Sequence, residues 1–360
     1  MRYIILKKLL LTSTLLISSI NATEYLHTDD HLKKEVYEEK FNFYGDIRIR
    51  DQEVHRDDKD NSYKQRYRIR AGLSFKATEN IILEAQISSG KGNPTSGNVD
   101  FSKGFKDQFK IDILDVEYKM ENFWIRVGKS KHHFDRPLKS QLIWDNDIRP
   151  EGISYKYKKD GKNFYTGAFR MRDYTKTSDK DIYYFVGEYT QKINDFKLGG
   201  GFYHYQGVKG NTAKYNKGAL GNSYNGVYLN DYSLLSIQAT YTFYLLERPL
   251  SFAVSGVYNF QASNDNFGYD LSIGYGKIKK DFDWQIGYTY RDIQKDATFG
   301  AHNDSDFANG GTDNNGHMIT GKLRLQKNLF LAINYQYTDR KVSEGGLHYD
   351  RLMSDLIFKF

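Results

Sequence analysis

The chain has 360 residues, with 52 Lys and Arg against 45 Asp and Glu for a formal charge of +7, and it carries 30 Tyr, 23 Phe, 31 Gly, four Pro and no Cys. Without Cys there is no disulfide framework, and no stretch beyond the N-terminal leader approaches the roughly twenty apolar residues of a spanning helix, so a helical membrane protein is excluded. The cations alternate with apolar residues instead of clustering on one face, which argues against nucleic acid as a partner.

Arg2, Lys7 and Lys8 precede an apolar run from Leu9 to Ile20, with a small-residue cleavage site around Asn21 and Ala22, so residues 1–22 read as a secretory signal peptide. Residues 23–40 are polar, lack a period and read as a periplasmic leader. From Phe41 to Phe360 the pattern changes to strict alternation. In the stretch 63–75, Tyr67, Ile69, Ala71, Leu73 and Phe75 share one phase, and Lys64, Arg66, Arg68 and Arg70 the other. One such strand is equally at home in a soluble sheet, so the argument rests on repetition. Strands are expected at 41–50, 63–75, 80–89, 109–119, 122–129, 151–158, 163–172 and 181–190. They continue at 195–206, 232–244, 250–260, 268–278, 281–292, 317–327, 329–338 and 349–360, about sixteen in all. The final one, LMSDLIFKF, sets Leu352, Leu356, Phe358 and Phe360 on one face.

The connections alternate in length. KATEN, MEN, KKDGKN, KIND, ERP, KKD and KN are short; between them lie long polar stretches, beginning with QEVHRDDKDNS, 90–108 and 130–150. Short periplasmic turns alternating with long external loops predict an all-β fold, a transmembrane antiparallel up-and-down β-barrel occupying 41–360. The whole chain's mean hydropathy of -0.69 is consistent with this, because half of every strand faces water. Tyr241, Phe243, Tyr288, Tyr290, Tyr335 and Tyr337 fall on the outward phase near strand ends, as interfacial aromatics do.

The inward phase carries Arg48, Arg50, Lys64, Arg66, Arg68, Arg70, Lys119, Arg126, Lys156, Arg170, Arg172, Lys322 and Arg324, against Asp46, Glu84, Asp115, Glu117, Glu188, Asp270 and Asp355. Charge at that density requires water, so a wet lumen with a mild preference for anions is expected. The third external loop, 130–150, holds Phe134, Leu138, Leu142, Ile143 and Trp144, which would be misplaced in solvent. It is expected to fold into the lumen as a constriction with Arg136, and its Asp145 and Asp147, with Glu151, are expected to face the arginines of the first two strands. The alternative is an ordinary folded surface loop.

The stretch from Tyr44 to Tyr157, about a third of the chain, resembles the putative porin family of Gram-negative outer-membrane proteins. The residues that carry the resemblance are QRYRIRAGLSF at 65–75, GNPTS at 92–96, IDILDVEYK at 111–119, and IRVGKSKHHFDRPLKSQLIWDNDIRPEGISYKY at 125–157. Gly128, Lys129, Pro137, Trp144, Asp145, Pro150, Glu151 and Gly152 make the last motif the most specific; the downstream strands match only as generic barrel. The resemblance implies a passive diffusion channel for small hydrophilic solutes and ions, with no catalytic residues and no cofactor. It also implies contact with outer-membrane lipid and lipopolysaccharide, handling by the barrel-assembly machinery, and by analogy with general porins a homotrimer.

Other constellations carry less. His132 and His133 are adjacent, and neighbouring side chains on an extended chain point apart, so no metal site is assigned. Asp304, Asp306, Asn309 and Asp313 resemble a calcium loop without its closing glutamate and read as a solvated loop. A barrel enzyme, protease or lipase, would draw on His204, His317 or His348, and no carboxylate one pleat away on the same face picks out a pair among them. An adhesin or receptor would use the long external loops and is compatible with a pore.

Overall fold

The computed structural model describes residues 40–90, 94–104, 109–171, 181–213 and 218–360; the expected signal peptide, the leader up to residue 39 and the expected inward residue Arg172 lie outside the described residues. The strands are β1 Phe41–Arg56, β2 Ser62–Lys76, β3 Ile81–Ser89, β4 Val99–Asp100, β5 Phe109–Lys119, β6 Phe123–Lys129, β7 Glu151–Lys159, β8 Lys162–Arg170 and β9 Tyr183–Ile193. They continue as β10 Phe196–Gln206, β11 Tyr232–Leu245, β12 Arg248–Asn259, β13 Phe267–Gly276, β14 Trp284–Ile293, β15 Asn314–Gln326, β16 Leu329–Arg340 and β17 Leu347–Lys359. Each long strand pairs antiparallel with its neighbours in sequence, and β1 pairs with β17 from Asp46↔Lys359 to Arg56↔Tyr349, closing sixteen strands into a barrel. The extra strand β4 is two residues that extend the sheet beside Arg66 and Tyr67 of β2. Closure leaves no sheet edge, so backbone polar groups of the wall are satisfied without water.

Side-chain phase decides which solvent each residue meets. Ile47, Ile49, Leu83, Val127, Ile153, Leu235, Ile319 and Ile333 stand exposed on the outer face, with Ile237 67% exposed. Transferring each such side chain from water to hydrocarbon is worth about 1.5–3 kcal/mol, which is why so polar a chain can reside in a bilayer. Aromatic pairs girdle the outer face near one end, with Phe41 on Phe75 and Phe196 on Tyr241, each at 4.6 Å between centroids.

The short turns gather at one end and the long loops at the other. The first long connection is shorter than its composition indicates: β1 runs on to Arg56 and β2 starts at Ser62, so only 57–61 turns. Gln52, Glu53 and Val54 keep alternating, and pairing continues through them to Val54↔Ser62. In β5 the register against β3 slips between Gln86 and Ile87, leaving Asp112 as the extra residue of a bulge. Asp112 and Ile113 are consequently both buried, and the Asp112 carboxylate reaches Arg149 at 3.2 Å.

Candidate pore and the loops that enter it

One arc of the inner wall, formed by β1, β2, β3, β5, β6 and β17, is ionic, and the strand register itself makes the pairs. Asp46 sits opposite Arg70 on β2, and its two carboxylate oxygens take Arg68 and Arg70, each at 2.7 Å. Arg50 sits opposite Asp355 on β17 and grips it with two bonds, at 2.7 and 2.9 Å. Arg48 lies 3.6 Å from the same carboxylate and donates to Asn98 at 2.6 Å. Arg66 and Lys64 share Asp100, at 2.7 and 3.8 Å. Glu84 and Asp115 face each other across β3 and β5, a repulsive arrangement that Arg126 relieves by bonding both at 3.3 Å and Glu117 at 2.6 Å.

The opposite arc is aromatic. Tyr165, Phe169, Tyr184, Tyr203, Tyr205 and Tyr232 point inward from β8 to β11 and are buried with Trp144, Leu142, Ile143 and Ile148 of the segment 130–150. Trp144, 1% exposed, stacks on Tyr184 at 5.0 Å and meets His132 edge-on at 4.5 Å and His302 at 4.8 Å. Polar bonds fasten the same segment to inward groups. The Asp135 amide donates to Glu188 at 2.6 Å, the Ser140 hydroxyl to Asp270 at 2.6 Å and the Lys156 ammonium to the His133 carbonyl at 3.2 Å. Leu138 touches the space above Gly274 of β13, so the segment reaches from β6 across to the far wall.

Among the three acids expected to face the arginines, the geometry differs from one to the next. Asp147 lies 4.0 Å from Arg68 and 3.7 Å from Arg70. Burial pushes its carboxyl up, but Arg68 and Arg70 outweigh burial and hold it below the usual range. Asp145 turns away from the arginines and accepts the amides of Asp147 and Ser305 at 2.7 and 2.8 Å; burial, then Asp147 and Asp304, push it well above the usual range. Glu151 pairs with Lys129 at 3.2 Å at the mouth of β6 and β7. Arg136 bonds within the segment, to the Trp144 carbonyl at 3.2 Å and to Asn146, and its ring neighbour is Phe134 at 5.6 Å.

His132 packs, half-buried, among Phe134, Trp144, Tyr165, Phe169 and Tyr184, with its ring nitrogen 3.0 Å from the Tyr184 hydroxyl. Burial lowers its pKa well below the ordinary value and takes that of His133 down to about 3, so both are neutral at neutral pH. They face different surroundings, His133 lining a cavity with Trp124 and Lys156. Among the described residues no cluster of three His, Asp or Glu is placed to hold a metal.

A second segment also enters the barrel, contrary to the solvated loop expected around Asp304, Asp306, Asn309 and Asp313. In 294–313, Phe299, His302 and Phe307 are buried. Asp304 bonds Arg291 of β14 at 3.1 Å, and Asp306 bonds Arg351 at 2.9 Å and Arg50 at 3.4 Å. Between them the Ser305 hydroxyl donates to the Thr95 carbonyl at 3.0 Å. The two inward segments are joined where the Asp145 amide donates to the His302 carbonyl at 2.6 Å and the Asp304 amide to the Gln141 carbonyl at 3.2 Å. Asn222, from 207–231, braces the second segment by donating to the Lys295 and Thr298 carbonyls, both at 2.8 Å, and accepting from the Gly300 amide at 2.8 Å. The density of acids concealed this docking, although Phe299 precedes the Asp run, Phe307 sits within it, and Ile182, Tyr184 and Val186 make most of the inward phase of DIYYFVGEY apolar. The lumen is therefore not uniformly wet: apolar loop residues have an apolar wall to cover.

Water-sized space remains on both sides of this crossing. A cavity of ≈ 390 Å³ opens toward the long loops beside β1, β2 and β17, and one of ≈ 340 Å³ lies toward the short turns beneath His133.

Residues 237–360 match a protein family described as putative porin. The match falls on strands whose sequence reads as generic barrel, downstream of the 44–157 stretch that carries the resemblance. No curated protein matches the chain. Similar solved structures include OprB of Pseudomonas putida at high pH, with a TM-score of 0.58 and 12% identity over 89% of this chain and 94% of that one. A triple mutant of the Rhodopseudomonas blastica porin gives 0.53 and 11% over 89% and 100%. A loop-deletion mutant of OmpT, an outer membrane protein of Vibrio cholerae, gives 0.51 and 12% over 89% and 99%. At these identities the likeness is one of fold.

Proposed function

We propose that this chain, whose C-terminal third matches the putative porin family, is an outer-membrane porin for passive diffusion of small hydrophilic solutes and ions. The observation that carries the reading is the inner wall: an ionic arc flanked by cavities on both sides of the loop crossing, inside a barrel whose outer face is apolar. In this reading 130–150 and 294–313 form the constriction, and solutes pass along the arginine-bearing arc rather than the aromatic one. A narrow, charged passage selects by size and field.

The expected ion preference is weakly anionic. Cations exceed anions on the inward phase of the strands, but Asp147, Asp304 and Asp306 each lie beside wall arginines and offset much of that excess. The preference should fade as the Debye length falls to about 3 Å near 1 M salt. The histidines named as enzyme candidates are dispersed: His204 meets Ser233 at 2.8 Å, His317 meets Tyr288 at 2.8 Å, and His348 sits between Asp339 and Asp350. Single-channel recording in a planar bilayer, with liposome swelling in a neutral sugar, tests the function. Discrete conductance steps and swelling are expected; folded protein that produced neither would overturn the porin reading.

A further inference from the structure

We infer that the ≈ 390 Å³ cavity on the long-loop side is a binding site for a small polyvalent anion bearing hydroxyls, of the tricarboxylate or sugar-phosphate class. Its place on a solute path rests on the porin reading; its ability to bind does not. Five cationic side chains, Arg56, Lys64, Arg66, Lys103 and Arg351, line the cavity against two carboxylates, Asp100 and Asp306. Both carboxylates are already shared: Asp100 between Arg66 and Lys64, and Asp306 between Arg351 and Arg50 of the adjoining wall. Arg56 donates only to the Asp60 carbonyl, at 3.3 Å, and neither it nor Lys103 has a carboxylate partner among the described residues. The site is thus short of negative charge by about the amount a trivalent anion supplies.

The volume limits the occupant. At about 30 Å³ per water the cavity holds roughly a dozen waters, at the low end of the range for small-molecule sites, which suits a six-carbon solute. Its cations are spread over β1, β2, β17 and the segment after β4, an arrangement that favours a polyvalent ion over a monovalent one. Ser62, Ser96 and Asn309 add neutral hydrogen-bonding groups for solute hydroxyls. Ser305 and Asp306 form the floor, so a bound anion would sit directly above the crossing of the two inward segments.

The test uses full-length protein folded in detergent, titrated calorimetrically with citrate, glucose 6-phosphate and glucose, together with the double variant Arg56→Gln, Lys103→Gln. Those two side chains are outside the paired wall. Saturable binding of citrate or glucose 6-phosphate but not glucose is expected, weakened about tenfold in the double variant as two attracting charges are removed. Citrate alone would assign the carboxylate class and glucose 6-phosphate alone the phosphate class. Should the double variant not fold, Lys103→Gln alone carries the test, with about a threefold loss. Absence of saturable binding by either anion, equal binding of glucose, or undiminished affinity in the folded variant would overturn the assignment. Conductance in a bilayer without calorimetric binding would fail the site and leave the porin reading intact; binding without conductance would do the reverse.

Discussion

Replacing Trp144 by alanine is the sharpest test of the idea that an apolar anchor holds 130–150 inside the barrel. The indole is 1% exposed and packs on Tyr184, His132 and His302, all within 5.0 Å between centroids. Burying a side chain of ~150–250 Å² at ~25 cal/mol per Å² is worth at most about 4–6 kcal/mol, and Trp→Ala changes in packed sites cost about 3–5 kcal/mol. None of Trp144's bonds belongs to the strand ladder, so this loss falls on the docked state of the loop and leaves barrel closure alone. What remains is the smaller apolar contact of Leu142, Ile143 and Ile148 with the wall, and polar bonds: Arg149 on Asp112 at 3.2 Å, Ser140 on Asp270 at 2.6 Å and Asp147 near Arg68 and Arg70. A loss of about 3 kcal/mol raises the undocked population by roughly a hundredfold. The variant should therefore show added high-conductance events and larger current noise in a planar bilayer, and trypsin should cut after Lys139 in conditions where the wild type resists. Trp284→Ala, on the outer face beside Arg248, is the control and should change neither readout. Wild-type conductance, noise and protease resistance in Trp144→Ala would refute the anchoring argument.

Asp306→Asn removes one negative charge shared by Arg50 and Arg351 while keeping the side chain's shape; Asp306 lines the cavity on the long-loop side, so the zero-current potential in a KCl gradient at low salt should move toward anions and an unmoved potential would place Asp306 off the path. Asp145, raised, favours the docked loops at low pH and loses that contribution as pH rises through its folded-state pKa, whereas Asp147, lowered, favours docking above its unfolded value and loses it as pH falls through its depressed one. Docking should thus be tightest in mild acid, with conductance lowest there when scanned from about pH 4 to about pH 8, and Asp145→Asn should flatten the alkaline limb. Gly128 has φ +128° and a Cβ there would lie 2.3 Å from the Leu114 carbonyl, so Gly128→Ala should sharply lower the heat-modifiable folded band on a gel, and wild-type yield would contradict the backbone geometry.

The sequence by itself determined the barrel, its sixteen-strand wall and the alternation of short turns with long connections, because each is written in a local period. An alternation of two residues needs no partner to be read, and LMSDLIFKF or YKQRYRIRAGLSF shows it without reference to the rest of the chain. The unusual apolar content of 130–150 was legible for the same reason. Only the tertiary structure decided which charges meet. Arg50 finds Asp355 across the closure of β1 on β17, Asp306 reaches Arg351 from a loop, and Asp145 serves the second inward segment instead of the arginines. It also decided that Asp112 turns inward on a bulge and that 294–313 docks through Phe299 and Phe307 despite its acids. These outcomes depend on register and on contacts between residues far apart in the chain, where the stability of a buried charge or ring is set by what the fold brings opposite it, and no window of neighbouring residues contains that information.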